Sequence, residues 1–234
     1  MGISVAKNRR EIFWAGMKAE LPLLIGVMPF GMIYGALAVQ AGLTAWQSQA
    51  MSWMIFAGSS QFVAAELFSQ TAPMLVIVMT VLVMNLRHLF YSASISPFLQ
   101  KASIAWKLLL GYLLTDEAYG VAIVHFQKEG REPDPNDYHY LFGAGLILWL
   151  SWQISTALGI LFGLYVPSDW SLDFALSITF IALLVPMLKD KPALMAAVSA
   201  GITAVVLHGM PYKLDLVVAT IIGILCGVLT EKKK

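Results

Sequence analysis

An all-α, polytopic membrane protein is the fold class the sequence predicts, and three observations predict it. Hydrophobic residues make up 59% of the 234 positions and charged residues only 12%, against about 25% charged in soluble domains. Mean hydropathy is +0.74, more apolar surface than one water-soluble core of this size could hide. The apolar residues also come in unbroken runs such as Leu108–Leu114 and Leu216–Leu229. The strands of a transmembrane β-barrel would alternate apolar and polar residues instead.

A span needs about 20 apolar residues. On that ruler about eight hydrophobic segments follow, giving seven to eight spans: 21–41, 49–68, 73–94, 104–126, 140–166, 172–188, 193–208 and 214–230. They form one transmembrane domain, 1–234. Residues 1–20 are read as a cytoplasmic N-terminal segment, basic and mixed, with no cleavable signal peptide. The polar stretch 127–139, with Lys128, Arg131, Pro133 and Pro135, divides a longer N-terminal half from a C-terminal half.

Lysine and arginine placement sets the expected topology. Eight crossings with both termini in the cytoplasm put Lys7, Arg9, Arg10, Lys18, Lys128, Arg131, Lys189, Lys191 and Lys232–Lys234 inside. Lys101 and Lys107 are then misfits on the outside, together with Lys213. They return inside only if one early segment is re-entrant, and a second segment must then also fail to cross. Eight crossings is the simpler expectation.

The first segment carries Pro22, Gly26, Pro29, Gly31 and Gly35. Proline removes a helix hydrogen bond and kinks the rod, and transporters build sites from such discontinuous helices. Glycines alone also permit close helix packing. Pro29 beside Gly31 and Gly35 favours a bend, so at least one kinked or broken helix is expected. Gly31–Gly35 is echoed by Gly159–Gly163, but the flanking offsets differ, and no repeat is inferred from that echo.

Polar side chains interrupt four segments. In the second, Ser59, Ser60 and Gln61 follow Gly58 between Phe56 and Phe62. They either bridge helices or face a cavity. The third runs into Asn85, Leu86, Arg87 and His88, with Tyr91 one turn beyond Arg87. An arginine at the bilayer centre costs between roughly 3 and 15 kcal/mol. Arg87 either snorkels to headgroups or offers its fork to a carboxylate, of a substrate or of a partner aspartate. In the fourth, Thr115, Asp116 and Glu117 interrupt apolar sequence. Two adjacent carboxylates there cannot both ionise cheaply, so at least one is expected to hold a proton. Asp116 or Glu117 serves either ion coupling, alongside His88, or a salt bridge to Arg87. In the fifth, Trp152, Gln153 and Thr156 suggest a pocket wall.

No histidine pair has ligand spacing and no phosphate-cradling loop is present, so neither a metal, a cofactor nor an ATP-driven engine is expected. No basic cluster is interleaved with aromatics, which argues against nucleic acid. The lone Cys226 excludes an intrachain disulfide.

Pro29-Phe30-Gly31 with Gly35, the run Phe56–Phe62, Asn85-Leu86-Arg87-His88 with Tyr91, and Thr115-Asp116-Glu117 closely resemble the AzlC family. Trp152 and Thr156, ahead of Gly159, extend the resemblance across nearly the whole chain. The family is the large subunit of bacterial branched-chain amino-acid exporters. The resemblance implies a plasma-membrane protein with a small AzlD-type membrane subunit as partner. It implies export of valine, leucine, isoleucine and also methionine, driven by an ion gradient. Ser59–Ser60 departs from the alanines expected there, which touches substrate preference. On that reading Arg87 with Asn85 holds the substrate carboxylate, Ser59, Ser60, Gln61 and Tyr91 contact it, and Pro29 and Gly31 shape the site. The chain is expected not to be an enzyme; an intramembrane enzyme acting on lipid and a passive channel are the rival readings.

Overall fold

The computed structural model describes residues 8–128, 135–164, 188, 190–210 and 214–231. The chain forms two compact units, 1–168 and 169–234. The expected segment 172–188 lies outside the described residues, apart from Leu188. Among the described residues the secondary structure is helical, and the expected broken helix is present.

In the first unit, α1 (Arg9–Gln40) is a 32-residue rod, about 48 Å long at 1.5 Å per residue. Asn8 caps its start by accepting from the Arg10 N–H. Its end is a Schellman turn: Leu43 N–H donates to the Ala38 carbonyl, with Gly42 at φ +94°, a conformation that favours glycine. The helix runs through Pro22 and Pro29 without a break in its assigned span.

Beside it runs α8 (Tyr138–Gly163), in parallel. Gly16 abuts Tyr140 and Gly143 abuts Phe13 near the start of both helices. Gly159 abuts Met32 and Gly163 abuts Ala36 near their ends. A Cβ on Gly159 would stand 2.0 Å from the Met32 carbonyl oxygen, and one on Gly31 would stand 2.0 Å from Ser155 Oγ. Small residues let the two backbones touch, the usual device where lipid offers no hydrophobic drive. Gly31, Gly35, Gly159 and Gly163 are therefore packing residues, and the two echoing motifs face each other. Residues 9–20, read from sequence as a segment ahead of the first span, are the opening turns of α1, with Ile12, Gly16 and Glu20 buried.

The intervening chain makes one through-going span and two hairpins. After α1, α2 (Ala45–Met54) descends along α8, and α3 (Gly58–Ser69) turns back. Phe62 packs on Phe30 and Tyr34, while Phe68 reaches Gly42 at the end of α1. Met51 of α2 packs with Ala64 and Leu67 of α3, which one straight rod could not allow. Next, α4 (Met74–Met84) and α5 (Arg87–Ile95) form the through-going span, ending in a 3₁₀ turn at Ser96–Leu99. It does not break at Asn85–Leu86; the ladder tightens to i−3 bonds, Leu86 N–H to Val83, His88 to Asn85 and Leu89 to Leu86. Such 3₁₀ insertions often mark a functional hinge. Finally α6 (Ile104–Leu113) rises beside α8 and α7 (Asp116–Phe126) returns. Trp106 packs on Tyr138 and Phe142, and His125 stacks on Tyr140. Both ends of this second hairpin thus lie at the start of α8.

The expected segments 49–68 and 104–126 are consequently not single rods but hairpins: one folds back from the side where α1 ends, the other from the side where it begins. The physical reason is length. Arms of 10 and 12 residues, and of 10 and 11, reach only about 15–18 Å at helical rise, half the hydrocarbon core. Among the described residues, three helices are long and apolar enough to cross: Arg9–Gln40, Met74–Leu99 and Tyr138–Gly163. Lys101, between α5 and α6, and Lys107, near the start of α6, fall on the same side as Arg9, Arg10 and Lys128, which removes the misfit. Residues 129–134 of the expected polar loop 127–139 lie outside the described residues; on either side of the loop, His125 stacks on Tyr140.

Polar bonds fasten the first hairpin to α8. Gln49 Nε2 donates to Gln153 Oε1 at 2.8 Å, Gln153 Nε2 to the Ser52 carbonyl at 3.3 Å, and Ser52 and Thr156 hydroxyls meet at 3.3 Å. Gln153→Ala should lower stability by about 1–2 kcal/mol, the scale of interhelical polar bonds in membranes. Thermal unfolding in detergent checks this, and an unchanged midpoint contradicts it.

In the second unit, α9 (Lys191–Val206) begins at Asp190, whose carboxylate accepts from the Ala193 N–H at 2.8 Å. It packs antiparallel to α10 (Leu214–Thr230), with Gly223 and Gly227 against Ala196 and Ala200.

Candidate functional site

Each hairpin has a polar tip, and the tips meet at the middle of the α4–α5 span. The first tip is 55–57, where α2 stops and α3 opens without a side-chain cap. Its first turn holds Ser59, Ser60 and Gln61. The second tip is Leu114–Thr115; Thr115 Oγ1 caps α7 by accepting from Ala118 N–H. Asp116 and Glu117 then fall in the first turn, where the helix dipole favours carboxylates. Tyr112 locks tip to tip: its hydroxyl donates to the Trp53 carbonyl at 2.6 Å and accepts from Trp149 Nε1 at 2.8 Å.

Arg87 stands between the tips. Its Nη1 donates to Asp116 Oδ2 at 2.6 Å and its Nη2 to Ser59 Oγ at 2.9 Å. The ion pair is neither sealed nor free, with side chains 33% and 42% exposed. Arg87 Nε and Asp116 Oδ1 are buried without a hydrogen bond, so the pair has unspent donor and acceptor capacity. Ser60 Oγ donates to Asn85 Oδ1 at 2.7 Å, tying the first tip to the 3₁₀ turn. Tyr91 lies within electrostatic reach of Asp116 and stacks on Tyr119, with ring centroids 4.6 Å apart. His88 donates from Nδ1 to the Asn85 carbonyl at 3.1 Å and meets Tyr91 edge-on.

Of the residues singled out from sequence, Arg87, Asn85, Ser59, Ser60, Tyr91, His88, Asp116 and Glu117 gather at this junction. Gln61 is fully buried beside the Tyr34 hydroxyl. Trp152 stacks on Tyr34 and covers Gly58, with its Nε1 lacking a partner. Gln153 and Thr156 are engaged in holding α2. Gly31 is packed against Ser155 and Pro29 is exposed, so neither lines the junction. Sequence reasoning missed Glu20, Tyr34 and Tyr112. The Ile12, Gly16, Glu20, Leu24 spacing was the available sign that Glu20 points inward.

A cavity of about 400 Å³ opens beside the junction, on the side where α1 begins. Ser92 of α5, Ser96 of the 3₁₀ turn after it, Lys107 and Leu110 of α6 and Leu141 of α8 line it. That volume falls within the range of small-molecule sites.

Comparison with known sequences agrees with the motifs. Residues 22–166 match the family described as AzlC protein. The chain is 28% identical to the inner membrane protein YgaZ of Escherichia coli (strain K12), over 93% of this chain and 89% of that one. It is 29% identical to the branched-chain amino acid transport protein AzlC of Bacillus subtilis (strain 168), over 99% and 91%. It is 30% identical to an uncharacterized membrane protein of Archaeoglobus fulgidus, over 86% and 87%. No solved structure matches. With its charged motifs gathered at one mid-span junction and the family match covering 22–166, this helical membrane protein belongs to the AzlC family.

Proposed function

We propose that the chain is the large subunit of a secondary transporter that exports valine, leucine, isoleucine and methionine across the plasma membrane. An ion gradient drives it, and a small AzlD-type membrane subunit completes it. One observation carries the reading: a half-exposed Arg87–Asp116 pair, at mid-span, between two helix tips.

A zwitterionic amino acid bears both charges of that pair in the opposite sense. Its carboxylate takes the Arg87 fork and the N–H groups of the uncapped α3 opening, where the dipole favours an anion. Its ammonium takes Asp116. Ser59, Ser60 and Asn85 complete the polar contacts, and Phe56, Phe62 and Trp152 offer apolar walls for the aliphatic tail. Substrate charges thus replace the internal salt bridge, which keeps Arg87 and Asp116 compensated in both states. Glu117 and His88 stand close enough to couple an ion.

The side on which α1 begins is the cytoplasm, by the positive-inside rule. Arg9, Arg10, Lys101, Lys107 and Lys128 gather there, and the cavity opens to that side. In a Cys226→Ser background, Lys101→Cys and Lys107→Cys should react with a membrane-impermeant thiol reagent only in inverted vesicles. Labelling of Lys101→Cys in intact cells contradicts the hairpin topology.

Cells over-expressing the chain with its small subunit should resist toxic leucine analogues and release labelled leucine faster than control cells. Unchanged sensitivity overturns the export reading. Equal leucine flux in both directions, without saturation, would make the chain a channel.

A further inference from the structure

We propose that Glu20 of α1 and Glu117 of α7 hold one exchangeable proton between them, and that this proton is the coupling ion. The inference rests on the transporter reading above and names its driving ion.

Glu20 is 0% exposed, and neither carboxylate oxygen has a hydrogen-bond partner. A carboxylate so placed, if ionised, is far too costly to keep without compensation. Helix α1 packs against α7, and Glu117, in the first turn of α7, lies within electrostatic reach of Glu20 without a hydrogen bond to it. Glu117 is differently placed: it leans on its own backbone N–H and Thr115, and lies within electrostatic reach of Asp116 and Arg87. Two carboxyls with one compensating environment between them take up one proton as a unit. Among the described residues, the ionisable groups around them are few. On α7 they are Asp116 and Tyr119, and on α5 they are Arg87, His88 and Tyr91. On α8 the only ionisable groups beyond tyrosine are those of its first turn, where His139 stands.

The pair is also connected to the substrate site. Asp116 and Glu117 are consecutive, so whatever occupies Asp116 alters the field at Glu117. When the ammonium of a substrate sits on Asp116, negative charge at Glu117 is better tolerated and the proton leaves. When the substrate departs, a proton returns from the opposite face. Proton uptake and substrate binding are thereby antagonistic, as an exporter driven by inward proton flow requires.

The test uses the full-length chain with its small subunit in liposomes, with labelled leucine as probe. Wild type, Glu20→Gln, Glu20→Asp and Glu117→Gln are compared in leucine exchange at equal pH and in uptake driven by a pH gradient. Glu20→Gln should retain exchange but lose the pH-gradient stimulation, by on the order of tenfold. Glu20→Asp, which keeps the carboxyl, should restore it and so separates proton loss from packing loss. Full pH stimulation in Glu20→Gln, or stimulation by a sodium gradient instead, overturns the proposal. An infrared readout stands apart from transport. Wild type should show a protonated-carboxyl C=O band that shifts in D₂O and is lost in Glu20→Gln. In Glu117→Gln the band should persist on the buried Glu20. A band unchanged in Glu20→Gln overturns the pair even if leucine is transported. If the wild type moves no leucine at all, the substrate reading fails and the infrared result alone decides the proton site.

Discussion

Arg87→Gln is expected to abolish leucine export while leaving the abundance of the protein in the membrane near normal. Gln keeps a polar amide but is shorter than Arg, and it loses the positive fork that meets Asp116 and Ser59. Truncating one partner of a buried, hydrogen-bonded charge pair costs about 2–5 kcal/mol; for this partly exposed pair the lower end applies, roughly 30-fold in affinity. Abundance is spared because the pair is a third or more exposed, because Tyr112 joins tip to tip independently, and because Ser60 ties the first tip to Asn85. Asp116→Asn should give a loss of similar size. The exchanged pair, Arg87→Asp with Asp116→Arg, separates two roles. A merely structural bridge would be rescued by the exchange. A substrate site would not, because the carboxylate-binding end would be moved from the α3 opening to the α7 tip. Quantitative blotting alongside labelled-leucine efflux checks both halves of the prediction. Export persisting in Arg87→Gln contradicts it.

Gly159→Val carries the largest expected structural effect. Its new Cβ alone would stand 2.0 Å from the Met32 carbonyl oxygen and 2.7 Å from Met32 Cα. Both obstacles are backbone, so no side chain can swing aside. Overpacking typically costs 1–3 kcal/mol, occasionally more, and here α1 and α8 must part along the seam that Gly31, Gly35 and Gly163 share. Folded protein recovered in detergent should fall to near nothing. Gly26→Ala is the matched control, since a Cβ there meets nothing within 4 Å; it should leave yield and export unchanged. Equal recovery of the two variants would refute the close α1–α8 contact.

The junction was legible in the sequence because charge inside an apolar run is conspicuous. Arg87 and Asp116 stand out on that ground and Ser59 by its hydroxyl, and the three meet within hydrogen-bonding distance. The hairpins were less legible. Segments 49–68 and 104–126 contain enough apolar residues for a span, and length does not reveal whether twenty residues form one rod or two ten-residue arms. The trace was in the charges: Lys101 and Lys107 fit the positive side only if two segments turn back. Capping held a second trace, since Thr115 before Asp116-Glu117 is a helix start. Pro29 and its glycines pointed to a bend in α1, yet the breaks fall at 55–57 and at Leu114–Thr115. Glycine serves both bends and contacts, and only the partner helix decides which. Gln153 and Thr156 carry polarity that a one-dimensional reading assigns to a pocket, whereas in three dimensions α2 consumes it. Glu20 was hidden by its place at the polar edge of the first apolar run, although the helix begins eleven residues earlier at Arg9.

Leucine binding to the purified complex, measured against leucinamide and 4-methylpentanoate in wild type, Arg87→Gln and Asp116→Asn, tests most directly whether one zwitterion replaces the Arg87–Asp116 bridge. Wild type should reject both analogues, Arg87→Gln should no longer prefer leucine over leucinamide, and Asp116→Asn should no longer prefer it over 4-methylpentanoate. Undiminished discrimination in both variants would mean that the charges of the passenger are read elsewhere, and the bridge would then be scaffolding alone.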